Sequence, residues 1–210
     1  MELTEIIKNR KDGAVMKKLL AMLLVLGLFL PAALLAEESP KEFVVYADKN
    51  AKDNHYIPSG WMGDTGDIKM NDQSAVNPKT GTTSIEFIYS AKKAQGQGWA
   101  GIYWQNPANN WGDKKGGYDL SNATKLTFWA RGAKGGERIE EFKAGGLFGE
   151  YSDTDVAAVG PVILTKDWKQ YTVDLKGKDF SSIIGGFCWA TNVDVNPEGA
   201  TFYLDEIRYE

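Results

Sequence analysis

Lys125-Leu126-Thr127-Phe128-Trp129-Ala130-Arg131 reads as a β-strand before any other segment does. Leu126, Phe128 and Ala130 fall on one side of an extended chain; Thr127, Trp129 and Arg131 fall on the other. Apolar alternation at a period of two marks a strand with one buried face. It predicts a core row of Leu126, Phe128 and Ala130, and it turns Trp129 and Arg131 outward together. The preceding run, Trp99-Ala100-Gly101-Ile102-Tyr103-Trp104-Gln105, divides in the same way. Ile102 and Trp104 read as core, and Trp99 and Tyr103 as outward. Between the two runs lies a polar loop with Trp111 set among Asn109, Asn110, Gly112 and Asp113. A large ring with only small or polar neighbours points to a surface made to touch something.

The same signal recurs along the chain. Short runs rich in β-branched and aromatic residues, bounded by Gly, Asn, Asp and Pro, occur at Phe43 to Ala47, Ser84 to Ser90, Arg138 to Ala144, Val162 to Leu164, Trp168 to Leu175, Ile183 to Ala190 and Thr201 to Tyr209. No window after residue 36 holds a 3.6-residue apolar period for three turns. These runs predict an all-β sandwich or jelly roll. Asp48 to Asp72, Asn106 to Tyr118 and Gly145 to Pro161 read as long loops. Trp104 and Trp168 are predicted to be core. For Phe187 and Trp189 against Cys188 and Ala190, alternation separates two faces without saying which is inside.

The N-terminus has a different character. Met16-Lys17-Lys18 opens a basic segment, Leu19 to Leu30 is almost wholly apolar, and Pro31 to Ala36 brings small residues before polar Glu37-Glu38. That is the layout of a cleavable signal peptide over residues 1–36, with the cut after Ala36 and Ala33 as fallback. Residues 1–15 do not fit it and read as a mis-assigned extension before a start at Met16. Residues 37–210 are then expected to form one domain, secreted or periplasmic, with no integral membrane segment left after cleavage. The chain holds 24 Lys and Arg against 28 Asp and Glu, a net charge of −4. That balance gives no support to nucleic acid as a partner. Cys188 is the only cysteine, so no internal disulfide forms, and it reads as a small buried hydrophobe.

Several motifs carry a family resemblance. Asp119-Leu120-Ser121-Asn122-Ala123-Thr124 running into Lys125–Arg131 resembles the DLS-x-x-x-x-L-x-F-W strand of galactose-binding-like jelly rolls, many of which are carbohydrate-binding modules. Trp168 to Leu175 resembles their W-x-x-Y-x-V-x-L strand, and Phe202 to Ile207 their closing strand. Asn77-Pro78-Lys79-Thr80-Gly81 ahead of Ser84-Ile85-Glu86 is similar to the segment that leads into one of their hydrophobic strands. The resemblance implies a galactose-binding-domain-like fold. It also implies a structural calcium held by Asp48, Asp205 and the backbone near Gly81, a setting of carboxylates and carbonyls that suits a cation wanting six to eight oxygens.

The expected partner is a polysaccharide or oligosaccharide. The C–H face of a pyranose packs on an aromatic ring, and its hydroxyls take planar polar partners. Candidate platforms are Trp99, Tyr103, Trp111 and Trp129, with Trp61 on a neighbouring loop. Candidate hydrogen-bonding groups are Arg131, Gln105, Asn106, Asp64 and Glu140. Catalysis fits less well. Glu140 and Glu141 are adjacent in a strand and point to opposite faces, so they cannot face each other across a glycosidic bond. The one histidine, His55, has no nucleophile elbow to serve. The chain is therefore expected not to be an enzyme. The runner-up is a structural or protein-binding module of the cell envelope.

Overall fold

The computed structural model describes residues 42–210, which fall within the compact unit Pro40–Glu210. The predicted signal segment lies outside the described residues. The strands are β1 (Phe43–Tyr46), β2 (Ile57–Gly63), β3 (Ile68–Ser74), β4 (Ser84–Tyr89), β5 (Trp99–Gln105), β6 (Lys125–Gly132), β7 (Arg138–Ile139), β8 (Glu141–Gly145), β9 (Val156–Val159), β10 (Val162–Ile163), β11 (Lys169–Asp174), β12 (Gly185–Asn192) and β13 (Ala200–Tyr209). A single 3₁₀ turn, Thr65–Asp67, joins β2 to β3. The architecture is the all-β sandwich that alternation predicts.

One sheet runs β11-β6-β13-β4-β3, with β1 paired to the far end of β13. A second runs β2-β5-β12-β8-β9, and β7 and β10 form a separate two-stranded pair. All ladders are antiparallel. Ten-residue β13 is the spine of the first sheet, because β6 flanks one edge while β4 and then β1 share the other. A bulge at Asp205–Arg208 shifts its register to β6, and Glu206 there has φ +50°.

Between the sheets lies an aromatic layer. Phe87 of β4 stacks on Phe202 of β13 at 5.2 Å, and Trp189 of β12 stands edge-on to Phe202 at 4.9 Å. Phe128 of β6 meets Phe142 of β8 at 4.5 Å, and Phe187 of β12 meets Trp104 of β5 at 5.2 Å. Offset and edge-on rings at such separations add to the area they bury. Phe187 and Trp189 are thus the inner row of β12, which local alternation leaves undecided. Leu126, Phe128, Ala130, Ile102 and Trp104 are all buried, as expected.

Three strands lie where loops are expected: β2 and most of β3 within Asp48 to Asp72, and β9 within Gly145 to Pro161. Trp168 is also not core. It has the opposite parity to Tyr171 and Val173, and it lies half-buried on the outside, its Nε1–H donating to Asn77 O at 2.8 Å. Phe187 is fully buried where three aromatic neighbours converge. Phe187→Ala is expected to lower unfolding free energy by about 3–5 kcal/mol, measured by denaturant titration.

Candidate functional site

Strand register fixes what each outer face presents. On the β2-β5-β12-β8-β9 sheet, Met62, Gly101, Ala190 and Glu141 stand side by side across four strands. The next row is Gly60, Tyr103, Cys188, Lys143 and Ala158. Trp99 stands opposite Asn192 at one end. Gly101 and Ala190 give the first row a floor without large side chains, while Tyr103 in the second row, expected to be outward and free, is buried in a small cluster with Leu147, Ile184 and Cys188. Trp99 and Tyr103 are four residues apart on one strand, about 13 Å along the face.

Loops build the ends. Asp64 is buried, and its carboxylate accepts the N–H groups of Gln95, Gln97 and Gly98 at 2.7, 2.9 and 2.6 Å. Its own N–H donates to Trp99 O at 2.7 Å. Asp64, expected to meet ligand, instead fixes the segment that delivers Trp99. Burial works against the Asp64 charge, and the three N–H groups overcome it, so its pKa lies below the ordinary carboxylate value. Trp99 is 38 % exposed.

At the other end, Trp111 stands edge-on to Tyr103, with ring centroids 6.2 Å apart, and is 41 % exposed. Asn110 holds the Trp111 loop: its Oδ1 accepts Gly112 N–H and Lys114 N–H, and its Nδ2 donates to Lys114 O. Gln105 is wholly buried and ties strand to loop by donating to Asn110 O at 2.9 Å and accepting from Ser59. Asn106 donates to the Tyr118 hydroxyl. Tyr103 donates to Gly145 O at 3.1 Å, and burial pushes its phenol pKa far up. Cys188 is buried in this face, and burial likewise raises its thiol pKa. On the floor, Lys143 Nζ lies 2.9 Å from Glu141 Oε2.

Trp99, Tyr103 and Trp111 therefore share one face, although Tyr103 is buried within it and not a free platform; Trp129, Arg131, Trp61 and Glu140 do not join them. Strand β6 lies in the opposite sheet from β5, so its outward row faces the other way. There Lys79 Nζ covers the Trp129 ring at 3.9 Å. Arg131 is only 6 % exposed; its guanidinium lies 3.7 Å from the Tyr203 ring centroid, and Nη2 donates to Val76 O at 2.6 Å. With Trp168 on Asn77, these residues hold the 76–79 segment across that face like a strap. Trp61 stands opposite Ile102 and packs inward, its Nε1–H donating to Pro58 O. Glu140 sits between β7 and β8 and accepts from Arg138 Nε at 2.7 Å. Sequence reasoning missed Glu141 and Lys143. Their signal was the Phe142 and Ala144 pair, whose burial sends the alternate residues outward.

Asp48 and Asp205 do converge on one turn. Asp48 Oδ2 accepts Thr82 N–H at 2.7 Å, and Asp205 Oδ2 accepts Lys79 N–H at 2.9 Å. Burial pushes the Asp205 carboxyl up to about 7, with the Asp48 charge adding to the rise and the turn N–H groups opposing it. Hydrogen bonds from Thr83 and Thr82 hold Asp48 down at about 2. Among the described residues no three His, Cys, Asp or Glu side chains converge to hold a metal. The hard oxygens of Asp48 and Asp205 fit calcium in kind, with carbonyls or water needed to complete a shell.

No family model matches the chain, and no curated protein does. Solved structures do. The family 30 carbohydrate-binding module of a Clostridium thermocellum cellulosomal cellulase aligns with TM-score 0.54 at 14% identity, over 80% of this chain and 96% of that one. A family 11 carbohydrate-binding module from Clostridium thermocellum, in complex with a β-1,3-1,4-mixed-linked tetrasaccharide, aligns with TM-score 0.53 at 16% identity, over 80% and 94%. The fold is that of carbohydrate-binding modules. In this carbohydrate-binding-module fold the β2-β5-β12-β8-β9 face leaves Trp99 and Trp111 exposed around a buried Tyr103, while the strap crosses the other face. No helix among the described residues is long and apolar enough to cross a membrane.

The Asp64 clamp has a pH signature. Because its folded pKa lies below its unfolded value of about 4, its stabilisation is present above that pH and is lost as pH falls through the folded value. Asp64→Asn should lower the melting temperature at neutral pH and flatten the acid limb of melting temperature against pH. An unchanged acid limb would remove the clamp.

Proposed function

We propose that this protein binds a polysaccharide or oligosaccharide without catalysis, on the outer face of the β2-β5-β12-β8-β9 sheet. The observation that carries the reading is the exposure of two tryptophans, Trp99 and Trp111, on the same side of one sheet, with the buried Tyr103 ring beneath Trp111 and small Gly101 and Ala190 in the neighbouring row. The exposed Trp99 and Trp111 rings offer apolar faces to pyranose C–H groups, and the buried Tyr103 ring supports Trp111 edge-on. Glu141, Lys143 and Asn192 supply acceptors and donors for hydroxyls. The likeness to carbohydrate-binding modules, which are non-catalytic, supports both the ligand class and the lack of chemistry. The layout of residues 1–36 supports export to the periplasm or beyond.

In affinity electrophoresis through gels of soluble glycans, the protein should be retarded in at least one. Trp99→Ala and Trp111→Ala should each weaken that interaction by about 30-fold, the loss expected for about 2 kcal/mol at a binding hot spot. Trp129→Ala, on the opposite face, should keep it. Normal mobility of the parent protein across a broad glycan panel would sink the reading.

A structural calcium at Asp48 and Asp205 is the second element of the proposal. The convergence of these two carboxylates on the turn from Lys79 to Thr82 supports it, and the ion would neutralise their mutual repulsion there. A chelator should lower the melting temperature and added Ca²⁺ restore it, since a ligand of the folded state stabilises by mass action. A melt indifferent to both would exclude the ion.

A further inference from the structure

We propose that the Glu141–Lys143 pair acts as a charge filter that restricts the glycan face to uncharged polymers. The inference rests on the reading of that face as the binding site. In the ladder rows that form the floor, among the described residues, these are the only side chains carrying a formal charge. Their neighbours are Met62, Gly101, Ala190, Tyr103 and Cys188. Burial keeps the Tyr103 phenol and the Cys188 thiol neutral.

The two charges stand on alternate residues of β8 and point the same way, with Lys143 Nζ 2.9 Å from Glu141 Oε2 and 5.4 Å from the Tyr103 ring centroid. Lys143 is thus already engaged by a carboxylate and an aromatic face. An uncharged polymer leaves that arrangement intact. Its hydroxyls donate to the free lone pairs of Glu141 and accept from the remaining N–H groups of Lys143. A uronic acid brings a second carboxylate beside Glu141 and finds the one cation of these floor rows shared. It must give up hydration for a site with no net charge to offer. The pair is worth little to fold stability, being partly exposed, so its consequence falls on what this face accepts.

The test compares mobility in gels of uncharged polymers (mixed-linkage β-glucan, xyloglucan, galactomannan) with mobility in polygalacturonate. The parent protein should be retarded in an uncharged gel and not in polygalacturonate. Glu141→Gln frees Lys143 and should raise affinity for polygalacturonate about fivefold, the scale of one partly exposed charge pair. Asp167→Asn makes the same change in net charge at an exposed position before β11, in the other sheet, and should leave polygalacturonate binding as it was. Equal gains in the two variants would show a long-range effect of net charge and overturn the filter. So would parent protein that binds polygalacturonate as well as it binds an uncharged polymer. No retardation in any gel would instead remove the binding face itself.

Discussion

Everything outside the sandwich depends on the aromatic layer within it. Phe87, Phe202 and Phe128 of one sheet close against Trp104, Phe187, Trp189 and Phe142 of the other, and each is fully buried or nearly so. Rings of this size bury more apolar area per residue than any aliphatic side chain, so few strand positions suffice to hold the sheets together. Period-two geometry then commits the remaining residues of each strand. Once Ile102 and Trp104 point inward, Trp99, Gly101 and Tyr103 must point out; once Phe142 and Ala144 point inward, Glu141 and Lys143 must follow. The proposed binding face is a by-product of core packing, read on the reverse side of the same strands.

The two outer faces then diverge because of their loops. Over the sheet containing β6 and β13, the segment from Val76 to Thr82 lies down and is stitched by Arg131, Trp168 and Asp205. Aromatic and cationic side chains that look like a ligand site in sequence are used there to hold backbone. Over the other sheet, the segment after β8 packs Leu147 and Tyr151 against Tyr103 and Cys188, and the remaining loops hold the ends. Asp64 gathers residues 95–98, Asn110 shapes the Trp111 loop, and Asp153 accepts Leu147 N–H at 2.9 Å to fix the segment after β8. Each is a short polar side chain satisfying several backbone N–H groups, which is how irregular chain stays ordered without a ladder. These loops leave Trp99 and Trp111 exposed, while Leu147 and Tyr151 pack beside the buried Tyr103 and Cys188.

That division explains what the sequence could disclose. The inner and outer rows of β5 and β6 were legible because both strands alternate cleanly over seven residues. Strand β2, Ile-Pro-Ser-Gly-Trp-Met-Gly, was not, because Pro58, Gly60 and Gly63 imitate a turn. Strand β3 was hidden by its polar residues, with Ile68 and Met70 alone keeping the period. Cys188 was readable as buried from its apolar neighbours. The faces of single strands were therefore available, and the pairing of those faces was not. Nothing local in Trp99–Gln105 or Lys125–Arg131 says that the two consecutive strands enter opposite sheets, yet that fact alone separates Trp129 and Arg131 from Trp99 and Tyr103.

The consequence is a criterion for outward aromatic residues in sandwich proteins of this kind. Outward parity is shared by Trp129 and Trp99, so parity cannot distinguish a platform from a fastening. What distinguishes them is whether neighbouring backbone has unmet polar groups to satisfy. Near Trp129 and Trp168, the carbonyls of Val76 and Asn77 need donors, and Arg131 and the Trp168 indole provide them. Near Trp99, Asp64 has already satisfied the adjoining N–H groups from below, so the ring is left free of structural duty. A tryptophan whose surroundings are complete without it, and which stays exposed, is the one with surface to give to a ligand.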